Sequence, residues 1–143
     1  MAADPELVAL FRERATAVAA RVTDAVDAAD AERQVAEDRA RGTVGVARAA
    51  RGIASTGTCV VETDDEETRL ETMLPEISVL LLRKGDLVPD LPDIAPYLRA
   101  RQADGKVSYT SFITGPSRTA DIERVGAIGV HGPLELHVIL LED

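Results

Sequence analysis

The chain has one cysteine, no tryptophan, and only 3% aromatic residues. A single thiol closes no internal disulfide, and it falls short of the roughly four thiolates that hold an iron–sulfur cluster. So few rings leave an aliphatic core as the only option. Cys59 stands in the apolar string GTCVVE, which marks it as a small buried hydrophobe and not a nucleophile. Positive charge is scarce as well: 16 Lys and Arg face 25 Asp and Glu, a net charge of −9. Such a surface repels phosphate backbones, which argues against nucleic acid as a partner; solubility alone accounts for the sign. No run approaches the ~18 consecutive apolar residues of a membrane helix. The start MAADPELVAL lacks a basic region followed by an apolar one, so no secretory signal is expected, and a cytoplasmic location is.

What is present fits one soluble domain over 1–143. Apolar residues make up 45% and charged residues 29%. A chain of 143 residues removes roughly 68–70% of its unfolded surface from water. ADPELVALFRERATAVAARV predicts a helix, with Asp4 as cap, Pro5 in its first turn, and Leu7, Leu10, Phe11 and Val18 on one face. VDAADAERQVAEDRARG predicts a second helix whose apolar content is alanine plus Val35. That helix is expected to be solvated, with Glu37 and Arg41 paired one turn apart and Gly42 as its stop. Residues 1–42 therefore form a helical N-terminal part, and 43–143 form the core.

After Gly42 the apolar runs shorten. The pattern predicts an extended piece at Thr43–Val46, a helical turn around Ala47–Ala54 and a strand at Thr58–Glu62. DDEETRLETMLPE predicts an acidic helix start and a short amphipathic helix ended by Pro75. ISVLLL, Ile77–Leu82, is a continuous aliphatic run, as in a parallel strand covered on both faces. A proline-rich connection then feeds a helix from about Asp93 to Ala103, and VSYTSFIT and LHVILLE read as strands. Strands alternating with helices predict an α/β fold with a mainly parallel sheet and flanking helices.

In such sheets ligands sit beyond strand ends, where loops and helix starts meet. Two junctions have suitable chemistry. ASTGT, Ala54–Thr58, offers Ser55, Thr56, Gly57 and Thr58 before a strand. TGPSRTADIE follows a strand: Gly115 permits close backbone approach, Pro116 stiffens the turn, and Ser117 and Thr119 can cap a short helix. The free N–H groups of that helix would form an anion site, with Arg118 as a carboxylate or phosphate clamp. Capping alone explains the same residues, with Asp121 and Glu123 complementing the helix dipole, and both readings stand. In GVHGP, His131 precedes Gly132 and can exchange a proton with a ligand. His137, in the last strand, reads as a satisfied packing residue. Two histidines in unlike settings predict no metal site.

GPSRTADIE followed by GVHGPLELHVILL closely resembles the C-terminal signature of the LUD domain, the lactate utilization protein C family. VGVARAARGIASTGTCVV resembles that family's other signature, and MLPEISVLLL and DLVPDLPD fall where the family has them. The resemblance covers about Thr43 to Glu142. It implies a Rossmann-like sheet similar to the sugar-phosphate isomerase and CoA-transferase superfamily. It also implies an accessory subunit of L-lactate oxidation to pyruvate beside iron–sulfur partner proteins. This chain would bind no cofactor itself and would take a small carboxylate or phosphorylated ligand; a homo-oligomer stays open. The family usually has acidic residues where this chain has Ala50 or Arg51 and Ser55. The stretch between Val22 and Thr43 is shorter than the family's, so the chain resembles a shortened member. Two other outcomes fit: a stand-alone CoA-transferase-like or isomerase-like enzyme using Asp121, Glu123 or His131, or a regulatory protein that kept the fold and lost the site.

Overall fold

The fold begins with the cap that the sequence announces. Asp4 accepts a hydrogen bond from the Glu6 N–H at 2.9 Å, and Pro5 opens helix α1 (Pro5–Ala17). The computed structural model describes residues 3–63, 75–103, 109–116, 119–121 and 134–142. Helix α1 buries Phe11 and Ala15, and it ends before the apolar periodicity does. Ala19, with φ of 73°, reverses the chain into strand β1 (Arg21–Ala25), which the sequence pattern does not signal. Helix α2 (Ala28–Arg39) follows, capped by Asp27. Then come β2 (Val44–Arg48), β3 (Arg51–Ile53), β4 (Thr58–Thr63), β5 (Ile77–Arg83) and β6 (Leu87–Val88). A 3₁₀ turn (Leu91–Ile94) leads into α3 (Ala95–Ala103), and β7 (Tyr109–Ile113), β8 (Thr119–Asp121) and β9 (Glu135–Leu141) complete the order.

The strands form two sheets. The first is parallel, in the order β1-β9-β5-β2, with Arg21 opposite His137 and Ile77 opposite both Glu135 and Val44. The aliphatic runs Ile77–Leu82 and Val138–Leu141 lie in its two central strands, because strands covered on both faces need apolar residues at every position. The second sheet runs β6-β3-β4-β7-β8 and is antiparallel except where β3 meets β6. The parallel sheet with flanking helices agrees with the expected α/β class; the second sheet is an addition to it.

Successive side chains of β5 and β9 face opposite ways. Leu80, Leu82, Leu136, Val138 and Leu140 pack with Phe11 and Ala15 of α1 and with Cys59, Val61 and Ile113 of the second sheet. Ile77, Val79 and Ile139 pack with Ala31 and Val35 of α2. On the far side of the second sheet, Ile53 and Val60 take Ile94, Tyr97 and Leu98. The layers are thus α2, the parallel sheet, the second sheet with α1 beside it, and α3.

Three local expectations are corrected. Ala47–Ala54 is no helical turn: the Ala49 N–H donates to Leu81 O in one sheet and the Ala50 N–H to Val60 O in the other. The chain steps between sheets there, and ladder pairing overrides the helix propensity of its alanines. Helix α2 is not simply solvated, since Gln34 and Asp38 are buried. Its expected Glu37–Arg41 pair is replaced: Glu37 pairs with Arg33, while Arg41 turns to Asp38 and Glu135. Thr119 opens no helix. Thr119–Asp121 is a strand, with Ile113 opposite Thr119 and Ser111 opposite Asp121. The expected helix within 64–74 lies outside the described residues, as do Ser117, Arg118, Glu123, His131 and Gly132.

Candidate functional site

At the carboxyl ends of β2 and β5, where the chain crosses from one sheet to the other, a cavity of about 370 Å³ opens. Its cationic wall is Arg48, Arg51 and Arg83; Glu62 and Asp86 supply carboxylates, and Ala49 and Leu81 an apolar patch. Arg48 is the last residue of β2 and pairs in register with Leu81. Arg83 is two residues further along β5, so all three share one face of the sheet. Arg83 Nε donates to Asp86 Oδ2 at 3.0 Å. Arg51 donates to its neighbour's carbonyl, Ala50 O, at 2.7 Å, lies 3.7 Å from Asp86, and stacks 4.8 Å over the Tyr97 ring. Glu62 is held by Arg101 at 2.9 Å and by the Thr110 hydroxyl. Arg48 is exposed and has no charged or hydrogen-bonded partner among the described residues. These arginines carry no motif. They become visible only once β2 and β5 are known to be parallel neighbours ending together.

The threonine junction is a different place. Thr56 Oγ1 lies 2.7 Å from Thr58 Oγ1, which lies 2.7 Å from Thr114 Oγ1, so the ends of β4 and β7 bring the ASTGT and TGP segments together. The Ser55 hydroxyl donates to Asp90 Oδ1 at 2.7 Å, bolting this loop to the turn before α3. That bond, with the Leu91 N–H, holds the Asp90 carboxyl below its ordinary value. Gly57 and Gly115 have φ of 67° and 75°, and both press on the end of α1. A Cβ on Gly57 would stand 2.3 Å from Ala15 N, and one on Gly115 would stand 2.4 Å from Val18 O. Pro116 continues the turn after Gly115. Thr119 and Asp121 lie in β8, at the edge of the second sheet.

The third feature is buried. His137 on β9 places Nδ1 2.5 Å from Asp38 Oδ2 of α2 and Nε2 2.7 Å from the Thr23 hydroxyl of β1. Thr23 Oγ1 also lies 2.5 Å from Gln34 Oε1, and Gln34 Nε2 donates to Asp24 O at 2.8 Å. Arg21 Nη2 reaches Asp38 Oδ1 at 2.5 Å, and Arg21 and Arg41 both reach Glu135 Oε1, at 3.2 and 3.3 Å. Arg41 and Glu135 border a second cavity, of about 390 Å³, at the amino ends of β5 and β9. Burial pushes the His137 pKa below its ordinary value, against the opposing pull of Asp38. Burial raises the Asp38 carboxyl, but hydrogen bonds from His137 and Arg21 outweigh it and leave it lowered. Thr23, His137 and Asp38 have the hydroxyl–imidazole–carboxylate order of an acyl-transfer triad. Here Gln34 takes the hydroxyl's remaining direction, so the set ties α2 to the sheet. The packing role expected for His137 agrees with this arrangement; the part played by Asp38 and Thr23 has no signature in the sequence. Cys59 is buried and its thiol is pushed up to about 12 by burial, which removes it as a nucleophile.

The LUD domain family model matches residues 7–141. The protein YkgG of Escherichia coli (strain K12) is 36% identical over 102 residues, which cover 70% of this chain and 44% of that protein. Lactate utilization protein C of Geobacillus thermodenitrificans is 35% identical over 102 residues, 70% of this chain and 42% of that protein. Lactate utilization protein C of Halalkalibacterium halodurans is 33% identical over 119 residues, with 82% and 51% covered. The chain spans about half the length of these curated relatives. Among solved structures, a DUF162 family protein from Deinococcus radiodurans shares the fold, with a TM-score of 0.66 at 18% identity; the match covers 95% of this chain and 96% of that one.

Proposed function

The chain belongs to the LUD domain family, and we propose that it serves lactate utilization as an accessory subunit that binds a small anionic ligand. In this reading, oxidation of L-lactate to pyruvate removes two electrons and two protons, and iron–sulfur clusters on partner proteins accept the electrons. The observation that carries the reading is the 33–35% identity to proteins named lactate utilization protein C, over 102 to 119 residues. Two properties of the chain support it. A lone buried thiol with a pKa of about 12 cannot anchor a cluster, so redox centres would belong to other chains. A partly unsatisfied arginine wall at the carboxyl ends of parallel strands is the place and the charge for an anion in this fold class.

Deleting the gene in its host tests the role. Growth on L-lactate as sole carbon source should fail while growth on pyruvate continues, and a tagged copy that restores growth should copurify with iron–sulfur proteins. Undiminished growth on L-lactate would overturn the assignment. Turnover of acyl-CoA or sugar phosphates by the isolated chain would replace it with an enzymatic one.

A further inference from the structure

We propose that the arginine cavity binds a small monocarboxylate of the 2-hydroxy acid class, with Arg48 as the carboxylate clamp. The choice of a 2-hydroxy acid rests on the lactate-utilization reading; the choice of a monocarboxylate rests on the cavity alone.

The cavity wall carries an excess of positive charge. Three guanidinium groups, those of Arg48, Arg51 and Arg83, face two carboxylates, those of Glu62 and Asp86, and Glu62 is already paired with Arg101 at 2.9 Å, so the wall is net positive. The protein as a whole carries −9, so a local excess of this sign is against the trend of the surface. An anion relieves that excess. A phosphate dianion meets the two carboxylates at close range with about twice the charge of a monoanion, and is repelled the more.

The three arginines differ in what already holds them. Arg83 is oriented by Asp86 at 3.0 Å, and Arg51 is fixed between Ala50 O at 2.7 Å and the Tyr97 ring. Their forks are in use, and they form a set cationic background. Arg48 has no such employment among the described residues, and its planar fork matches a carboxylate in bidentate geometry. Parallel pairing of β2 with β5 forces Arg48 and Arg83 onto the same face beside Leu81. Two like charges brought together this way are relieved by an anion between them.

The rest of the wall suits the other groups of such a molecule. Asp86 accepts hydrogen bonds, so it suits the hydroxyl on the carbon next to the carboxylate. Leu81 and Ala49 offer apolar contact to a short alkyl group. A volume of about 370 Å³ accommodates such a molecule with ordered water around it.

Isothermal titration of the full chain with L-lactate, acetate and inorganic phosphate tests the proposal. L-lactate should bind more tightly than acetate, which lacks the hydroxyl, and more tightly than phosphate. Arg48→Ala should weaken L-lactate binding by about tenfold or more with an unchanged melting temperature, since the exposed side chain supports no other contact. Arg48→Lys should fall between, keeping the charge and losing the fork. No binding of L-lactate, phosphate binding more tightly, or equal affinity in Arg48→Ala would each overturn the site. The growth assay separates the two readings: lactate binding lost in Arg48→Ala, in a host whose growth on L-lactate never needed the gene, keeps this site and removes the role. Growth dependence with no lactate binding keeps the role and removes this site.

Discussion

His137 Nδ1 lies 2.5 Å from Asp38 Oδ2, and both side chains are almost fully buried, at 1% and 2% exposure. This contact joins the last strand to the C-terminal turn of α2 across 99 residues of chain. Asp38→Ala should therefore cost about 3–5 kcal/mol, the usual penalty for removing one partner of a buried ionic set. The imidazole and Arg21 would both lose their acceptor. Urea unfolding at neutral pH reads this directly, and a loss below 1 kcal/mol would show that water replaces the carboxylate.

The same pair sets an acid limit on stability. The folded pKa of His137 lies below its ordinary 6.5, so the unfolded chain binds the proton more readily. Stability should start to fall as pH drops below about 6.5, because the unfolded state there holds more protons. The folded pKa of Asp38 lies below its ordinary 3.8, so its contribution is present above 3.8 and is lost as pH falls further. Both groups act in one direction, in successive windows. Unfolding free energy measured from pH 8 to 3 should decline in two stages, and His137→Gln should flatten the first. A rise in stability between pH 7 and 5 would contradict the direction given for His137.

Thr23→Val should cost about 1–3 kcal/mol, since it leaves His137 Nε2 and Gln34 Oε1 buried without their shared hydroxyl. Thermal melts of the variant give the number. A neutral effect would mean that Gln34 re-orients to satisfy both groups.

Gly57→Ala and Gly115→Ala should each lower stability by more than the roughly 1–2 kcal/mol that a left-handed backbone costs an L-residue. Each new methyl group also meets backbone, that of Ala15 N within α1 at 2.3 Å for Gly57 and that of Val18 O just past the helix at 2.4 Å for Gly115. Differential scanning calorimetry should show the drop in both. These glycines then serve the docking of α1, whatever the threonines beside them do.

Cys59 should resist thiol reagents in the native protein and react fully in denaturant, since its thiol is buried and pushed up to about 12. Fast native labelling by a bulky disulfide reagent would mean that the interface between the two sheets opens readily.

Local signals carried far in this chain. Asp4 with Pro5 marks a helix start by backbone chemistry alone, and the helix starts there. Ile77–Leu82 and Val138–Leu141 are apolar at nearly every position, which only a doubly covered strand needs, and both lie at the centre of the parallel sheet. The apolar setting of Cys59 and the packing role of His137 were legible for the same reason: burial follows from the neighbours in sequence.

Where the sequence failed, the deciding partner was distant along the chain. Arg21–Ala25 has no strand pattern, because β1 is an edge strand that the pairing with β9 calls into being. Ala47–Ala54 favours helix by propensity, yet Ala49 and Ala50 bond to two different sheets, and two ladders outweigh a few tenths of a kcal/mol per residue. Asp38 looked like any acid on a solvated helix until β9 set His137 against it. Arg48 and Arg83 are 35 residues apart and belong to no motif; only the parallel register of β2 with β5 makes them one wall. The sequence by itself determined which segments must be buried and which family's signatures the chain carries, because both are properties of neighbouring residues. Only the tertiary structure decided which charges meet, because that depends on strand order, and strand order is set by contacts that no local window contains.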